Sequence, residues 1–124
     1  MPASIESITT AALSAALDTS TRRHAALAAN IANVQTEGYA PLQVVFDARL
    51  EDAKAALRET GWLDVSTVAG LRGEIRAAGS GTEKVQLDMQ MAEIARNSVH
   101  FQALAQAVSR HLGMLALAAG DGRK

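Results

Sequence analysis

Two long segments of this 124-residue chain are nearly free of charge. Residues 3–33 and 85–119 together hold 8 of its 25 charged side chains, although they make up more than half of its length. A helix on the surface of a globular protein devotes roughly half of its circumference to polar and charged groups. These segments cannot do so. We therefore expect each of them to be covered on more than one side, by neighbouring copies or by partner proteins.

Both segments also have the apolar spacing of paired helices. Alternate steps of four and three residues from Leu13 reach Leu17, Ser20, His24, Leu27 and Ile31. The same steps from Leu87 reach Met91, Ile94, Ser98, Phe101, Ala105, Val108, Leu112 and Leu115. The pattern predicts a mainly α fold in which the segments 1–33 and 83–119 pair as a coiled-coil-like hairpin. Phe101 and Leu104 are expected in the packed seam of the second helix.

Local signals predict where these helices begin and end. Gly38 and Pro41 follow the first helix, which should end near Asn33. Ser80 and Glu83 have the spacing of a capping box before the second helix, with Thr82 as an alternative N-cap. Gly120 is the expected stop, which leaves residues 120–124 as a tail.

The connecting region, residues 34–82, has a different character. Residues 46–59, FDARLEDAKAALRE, predict a short, charged amphipathic helix that ends at Gly61. The Val/Thr-rich stretch 64–70, DVSTVAG, is expected to be extended. The region should therefore contain a turn, a short helix and an irregular, partly extended segment.

The segment 28–40, AANIANVQTEGYA, joins the first helix to this region. Asn30 and Asn33 lie three residues apart near the helix end, where their amides can bond the last free carbonyls or the following turn. Gly38 supplies a position at which positive φ costs little. The ring of Tyr39 can pack back on the helices while its hydroxyl finds a partner. A plain helix end followed by a turn would account for the same residues.

Composition and spacing disfavour several classes of function. The net charge is −1 and no basic patch is present, so neither nucleic acid nor an acidic membrane surface is an expected partner. His24, His100 and His111 lack the i, i+3 or i, i+4 spacing of helical zinc ligands, although His24 and His111 could meet across the helix pair. No nucleophile elbow or phosphate loop is present. We expect no enzyme activity, cofactor, metal or small-molecule substrate.

The two ends of the chain resemble the bacterial flagellar rod and hook family. In that family a long first helix ends in an A-N-N-I-A-N-x-x-T-P-G-Y pattern, which Asn30 to Asn33, Thr36, Gly38 and Tyr39 follow. The chain departs at Ala28–Ala29, where the family often has one more asparagine, and at Glu37, where proline is usual. The later segment VQLDMQMAEIARNSVHFQALAQAVSR is similar to the closing helix of proximal rod subunits, V-x-L-D-x-E-M-A followed by N-x-x-x-Y-Q-A-L. Gln90 and Phe101 replace the usual glutamate and tyrosine. The motifs cover about half of the chain, in the family's order.

The resemblance implies a structural subunit of the flagellar basal-body rod, in the periplasm. It implies export from the cytoplasm by the flagellar type III apparatus, without a cleaved signal peptide. The implied partners are other copies, other rod proteins, and components of the membrane ring and export gate. The residues expected to serve packing and assembly are Asn30, Ile31, Asn33, Gly38, Tyr39, Leu87, Met91, Ile94, Phe101, Leu104, Val108 and Leu112. The main alternative is a freestanding helical adaptor or regulator that dimerises through the same heptads.

Overall fold

The computed structural model describes residues 2–82 and 84–122, and it is mainly helical, as predicted. The elements in chain order are α1 (Pro2–Ala32), β1 (Leu42–Val45), α2 (Asp47–Thr60), α3 (Val65–Ala69), β2 (Glu74–Ala77) and α4 (Leu87–Asp121). The two long helices, α1 and α4, pack together along their length. They run antiparallel, since Thr10 contacts His111 near one end and Asn30 contacts Gln90 near the other.

α1 is the central element of the fold. It packs against α4 on one side and against α3, β1 and β2 on another, and we call these three elements the middle layer. Buried apolar residues are few among those described, and most are small: Ala15, Ala26, Leu27, Ala53 and Val68. Four buried polar residues accompany them: Thr19, Ser20, Asn30 and Asn97. The interior therefore depends on hydrogen bonds as much as on apolar contact.

The two strands form an antiparallel pair in which Leu42 lies opposite Ala77 and Val45 opposite Glu74. Gly73, just before β2, fastens this pair to α1. Its N–H donates to Thr19 Oγ1 at 3.1 Å, and its carbonyl accepts from Arg22 Nη1 at 2.9 Å. A Cβ at position 73 would collide with Val44 Cγ1. Glycine is therefore needed where the chain passes close to Val44 of β1 as it enters β2.

The charged helix α2 forms where it was predicted. It ends at Gly61, whose φ of 74° is left-handed and whose N–H donates to the Leu57 carbonyl at 2.9 Å. This is the common glycine C-terminus of a helix. In contrast to α1 and α4, α2 makes only sparse contact with the other described elements. We call residues 47–63 the α2 arm.

The prediction of an extended segment at residues 64–70 was wrong, because Val65–Ala69 form the helix α3. Asp64 is its N-cap, and its carboxylate accepts from the Thr67 N–H at 2.7 Å and from Ser66 Oγ at 2.8 Å. These hydrogen bonds, above all the one from Thr67, lower the pKa of Asp64. A side-chain cap of this kind overrides the β preference of valine and threonine.

The predicted ends of α4 were also wrong. The helix begins at Leu87 after the N-cap Gln86, which makes no side-chain capping bond. Ser80 instead bonds Thr82 through their hydroxyls, and Glu83 lies outside the described residues. The positive φ angles of Gly79 and Gly81, 83° and 81°, turn the chain before a helix can start. At the other end Gly120 lies inside the helix, which continues to Asp121.

Candidate assembly surface

Asn30 links the end of α1 to three other parts of the chain. It is 1% exposed, and its amide makes four hydrogen bonds. Oδ1 accepts from the Leu42 N–H at 2.7 Å and from the Tyr39 hydroxyl at 2.9 Å. Nδ2 donates to the Leu42 carbonyl and to Gln90 Oε1, both at 2.9 Å. A fully satisfied buried amide fixes the path of the chain between α1, the turn, β1 and α4.

The turn after α1 has the geometry predicted from its residues. Asn33 Nδ2 donates to the Ala29 carbonyl at 2.9 Å, and its Oδ1 accepts from Thr36 Oγ1 at 3.1 Å. Gly38 has a φ of 74°, and a Cβ there would meet nothing within 4 Å. Desolvation raises the pKa of Tyr39, whose hydroxyl donates to Asn30. The asparagines, the glycine and the tyrosine thus act as one structural unit.

Among the described residues, the hydrogen-bonded pairs Thr10–His111, Ser20–Asn97 and Asn30–Gln90 connect α1 with α4, and we call them the polar bridges. Thr10 bonds His111 at 3.0 Å, and Asn30 bonds Gln90 at 2.9 Å. Between them, Ser20 and Asn97 exchange two hydrogen bonds. The possible meeting of His24 and His111 across the pair does not occur, because His111 lies opposite Thr10 while His24 lies beside Asn97 and Phe101. Asn97, which belongs to the family-like motif of the closing helix, could have indicated such a bridge. The prediction of the helix pair used the spacing of apolar residues alone, which does not show where polar residues pair.

The apolar residues predicted in the seam lie around one flank of the helix contact. Ile94, Leu104 and Val108 are half-buried, as is Ile31 of α1. The others are exposed in the single chain: Leu87, Met91, Phe101 and Leu112. Phe101, which was expected in the packed seam, is 41% exposed. The reason is that the polar bridges determine which side of α4 faces α1. Phe101 follows the bridging residue Asn97 by four positions, which places it about 40° around the helix axis from that side.

A groove between α1 and α4 runs along this flank, and its cavity has a volume of about 350 Å³. Its lining contains no Asp, Glu, Lys or Arg: Ser20, Thr21, His24, Asn97, Ser98, Phe101 and Gln102. We call it the uncharged groove. The ionised side chains of this part of the pair lie across the Ser20–Asn97 contact, where Arg23, Glu93 and Arg96 share another depression with His100. The middle layer lies on that charged side, since Arg23 and His100 also line a depression with Phe46 and Val68.

The surface of the isolated chain is large for its mass. Its accessible area is 8479 Å² at a mass of 13.0 kDa. A compact monomer of this mass exposes about 6,300 Å² by the usual scaling. The excess of roughly 2,100 Å² is comparable with the area that obligate interfaces bury. The chain therefore exposes more surface than a compact monomer of its mass.

Residues 2–82 and 84–122 contain no group of three His, Cys, Asp or Glu side chains that could hold a metal ion. Over the same ranges, no helix has the combination of length and apolarity that crossing a membrane requires.

No protein-family model matches the sequence, and no curated protein matches it.

Proposed function

We propose that this chain is a structural subunit of the bacterial flagellar basal-body rod, of the proximal type. The observation that carries the proposal is the uncharged groove of the α1–α4 pair, which a single chain leaves open to water. Large apolar side chains on α4 are exposed along with it, including Met91, Phe101 and Leu112. Large apolar side chains that are exposed close together on one face are typical of protein–protein contact sites. A polymer of paired helices would bury it in every subunit except those at the ends.

The turn after α1 supports the same proposal. Its family-like residues are the ones that fix the exit of the chain from the helix, through the bonds of Asn30 to Tyr39 and Leu42. A subunit that repeats along a rod must present the same shape in every copy, because an angular error would accumulate. A buried amide with all of its hydrogen bonds made gives that reproducibility.

The proposal includes location and partners. The subunit would reach the periplasm through the flagellar type III export apparatus and assemble on the membrane ring, beside the export gate and other rod proteins. The small interior supports this route, since few large side chains must be exposed to unfold the chain. In this proposal the fold gains much of its stability from its neighbours.

The test is genetic and structural. The gene is deleted in the bacterium that carries it, and a tagged copy is returned. Under the proposal the deletion strain does not swim and lacks rods, and the tagged chain is recovered in purified basal bodies. Complete basal bodies in the deletion strain would overturn the proposal. A closed, stable dimer of the purified protein, with normal flagella in the deletion strain, would favour the freestanding adaptor or regulator.

A further inference from the structure

The single tryptophan of the chain, Trp62, lies in the short link between α2 and α3, at the end of the α2 arm, and is 62% exposed. Its backbone is tied to the end of α2, since Thr60 Oγ1 lies 2.8 Å from the Trp62 carbonyl, sharing its proton with the Ala56 carbonyl at 2.7 Å, and Gly61 ends the helix in the left-handed conformation. Leu50 and Leu57 of the same arm are exposed as well. A tryptophan on a fixed backbone loses little entropy on binding, and tryptophan is enriched at the energetic centres of interfaces.

The uncharged groove has the size and chemistry to receive such a side chain. Phe101 forms an aromatic wall, and Gln102 and Ser98 offer oxygens that an indole N–H can reach. An occupant that brought an ammonium group into this groove would lose hydration and meet no Asp or Glu side chain of the lining. The groove therefore favours an occupant that is large and apolar and carries no positive charge, with at most one donor.

The α2 arm cannot fill the groove of its own chain. The arm starts at the middle layer, which lies on the Arg23 and His100 side of the helix pair. The groove is on the other side, because Thr19 faces the middle layer while Thr21 lines the groove, and residues two apart on a helix point about 160° from each other. Only the arm of another molecule can reach the groove without crossing the pair.

We propose that Trp62 of one copy inserts into the uncharged groove of a second copy. The two surfaces are different parts of the chain, so the contact is heterologous, and each assembly keeps a free groove at one end and a free arm at the other. Heterologous contacts that do not close a ring generate open filaments. The area available agrees, since the chain exposes roughly 2,100 Å² more than a compact monomer of its mass. The inference deepens the proposed function by naming one contact along the rod.

The experiment mixes two full-length variants. Trp62→Ala removes the inserting side chain and keeps the groove, whereas Gln102→Arg blocks the groove and keeps Trp62. Each variant alone should associate roughly thirtyfold more weakly than the wild type, the loss expected for an interface centre worth about 2 kcal/mol. Mixed together they should form a one-to-one complex, because one intact groove then meets one intact arm. Gln106→Arg is the matched control, since Gln106 is exposed on the same helix and does not line the groove.

The fluorescence of Trp62 reports directly whether its side chain enters the groove. All tryptophan emission in the mixture comes from Trp62 of the Gln102→Arg variant, and it should shift to shorter wavelength as the Trp62→Ala variant is added. Sedimentation should show a complex of two chains and no filament. No shift and no complex, with both variants helical by circular dichroism, would overturn the inference.

Counts of complete rods in purified basal bodies distinguish a failure of this contact from a failure of the proposed function on which it rests. Trp62→Ala should reduce the count of complete rods, and Gln106→Arg should not. A chain found in basal bodies whose rods are normal in the Trp62→Ala strain would refute this contact and leave the proposed function standing. A chain absent from basal bodies whose variants still form the one-to-one complex would refute the function and support the contact.

Discussion

Asn97 of α4 holds Ser20 of α1 with both ends of its amide. Nδ2 donates to the Ser20 carbonyl at 2.8 Å, and Oδ1 accepts from Ser20 Oγ at 3.1 Å. Both residues are buried, Asn97 at 4% exposure, in a contact otherwise made largely of small side chains. A one-residue slip of either helix would break both bonds inside the protein, where water cannot replace them. The pair therefore selects one register, as a buried asparagine does in a coiled coil.

This contact predicts a strong coupling between the two positions. Asn97→Leu should lower the free energy of unfolding by about 1–3 kcal/mol, because Ser20 then keeps a buried hydroxyl without a partner. Adding Ser20→Ala should recover part of the loss. Urea unfolding of the two single variants and the double variant measures the coupling. Gln106→Leu replaces an exposed amide on the same helix and should change stability by no more than about 0.5 kcal/mol. If the double variant lost as much free energy of unfolding as the two single variants combined, the contact between Ser20 and Asn97 would be contradicted.

Tyr39 should make stability depend on alkaline pH. Desolvation raises its pKa above 10.0 in the folded chain, so the folded state keeps the phenolic proton after the unfolded state has lost it. Its contribution is complete below pH 10.0 and declines as the pH rises above that value. The phenolate absorbance of this single tyrosine gives its pKa directly in the folded chain and in urea.

Tyr39→Phe is the control for this prediction. It should lose the bond to Asn30, at a cost of about 0.5–1.5 kcal/mol near neutral pH, and show a weaker decline of stability above pH 10.0. Equal tyrosine titration in the folded and urea-unfolded chains would argue against the burial of this hydroxyl.

Three glycine-to-alanine changes should give three different results. Gly38→Ala adds only the strain of a positive φ, about 1 kcal/mol, since its Cβ has open space. Gly81→Ala adds the same strain and also brings its Cβ to 2.8 Å from the Gly38 carbonyl oxygen, so it should cost more. Gly113→Ala, inside α4 with nothing within 4 Å, should stabilise the chain by roughly 0.5–1 kcal/mol.

Thermal unfolding of the three variants gives the order, and counts of complete basal bodies show whether the turn matters for assembly. Gly38→Val should be worse than Gly38→Ala, because its branched side chain is stiff. Equal basal-body counts for wild type, Gly38→Ala and Gly38→Val would mean that the turn does not control rod formation.

Phe101→Asp should abolish swimming while leaving the single chain folded. Phe101 is partly exposed in the groove, so the charge meets water in the monomer and is trapped without a partner only in the assembly. Val99→Asp is the matched control, because Val99 is 67% exposed and does not line the groove. Soft-agar motility and circular dichroism make the comparison. Loss of helix in Phe101→Asp alone would mean that the residue stabilises the fold itself.

The long helices were predictable because their apolar spacing persists for several turns, and the turn at Gly38 because few residues tolerate its backbone. The register of the pair was not predictable in the same way. A count of apolar positions favours Phe101 and Leu112, but the helices meet through Ser20, Asn97 and His111. Polar residues of this kind stabilise an interior only when each finds its partner, and a single sequence does not say which residues meet.

The middle of the chain was harder to predict. β1 and β2 have four residues each and pair across a long stretch of sequence, so no local pattern marks them. For α3 a local signal existed, since Asp64 has the residue type and position of an N-cap. The β preference of the following Val and Thr residues outweighed it in the interpretation. The start of α4 depended on two glycine turns whose geometry overrides a capping-box pattern.

The middle layer covers only part of α1, from about Ala12 to Asn30. Beyond it the two long helices form a bare stem, joined by the bridge between Thr10 and His111 and exposing Ile5, Met114 and Leu117. Amide hydrogen exchange in the isolated chain should therefore be graded along α1, slow around Ser20 and fast before Thr10. The stem would become ordered last, when a neighbouring molecule covers it. Each molecule that joins such an assembly would then complete the folding of the neighbour whose stem it covers.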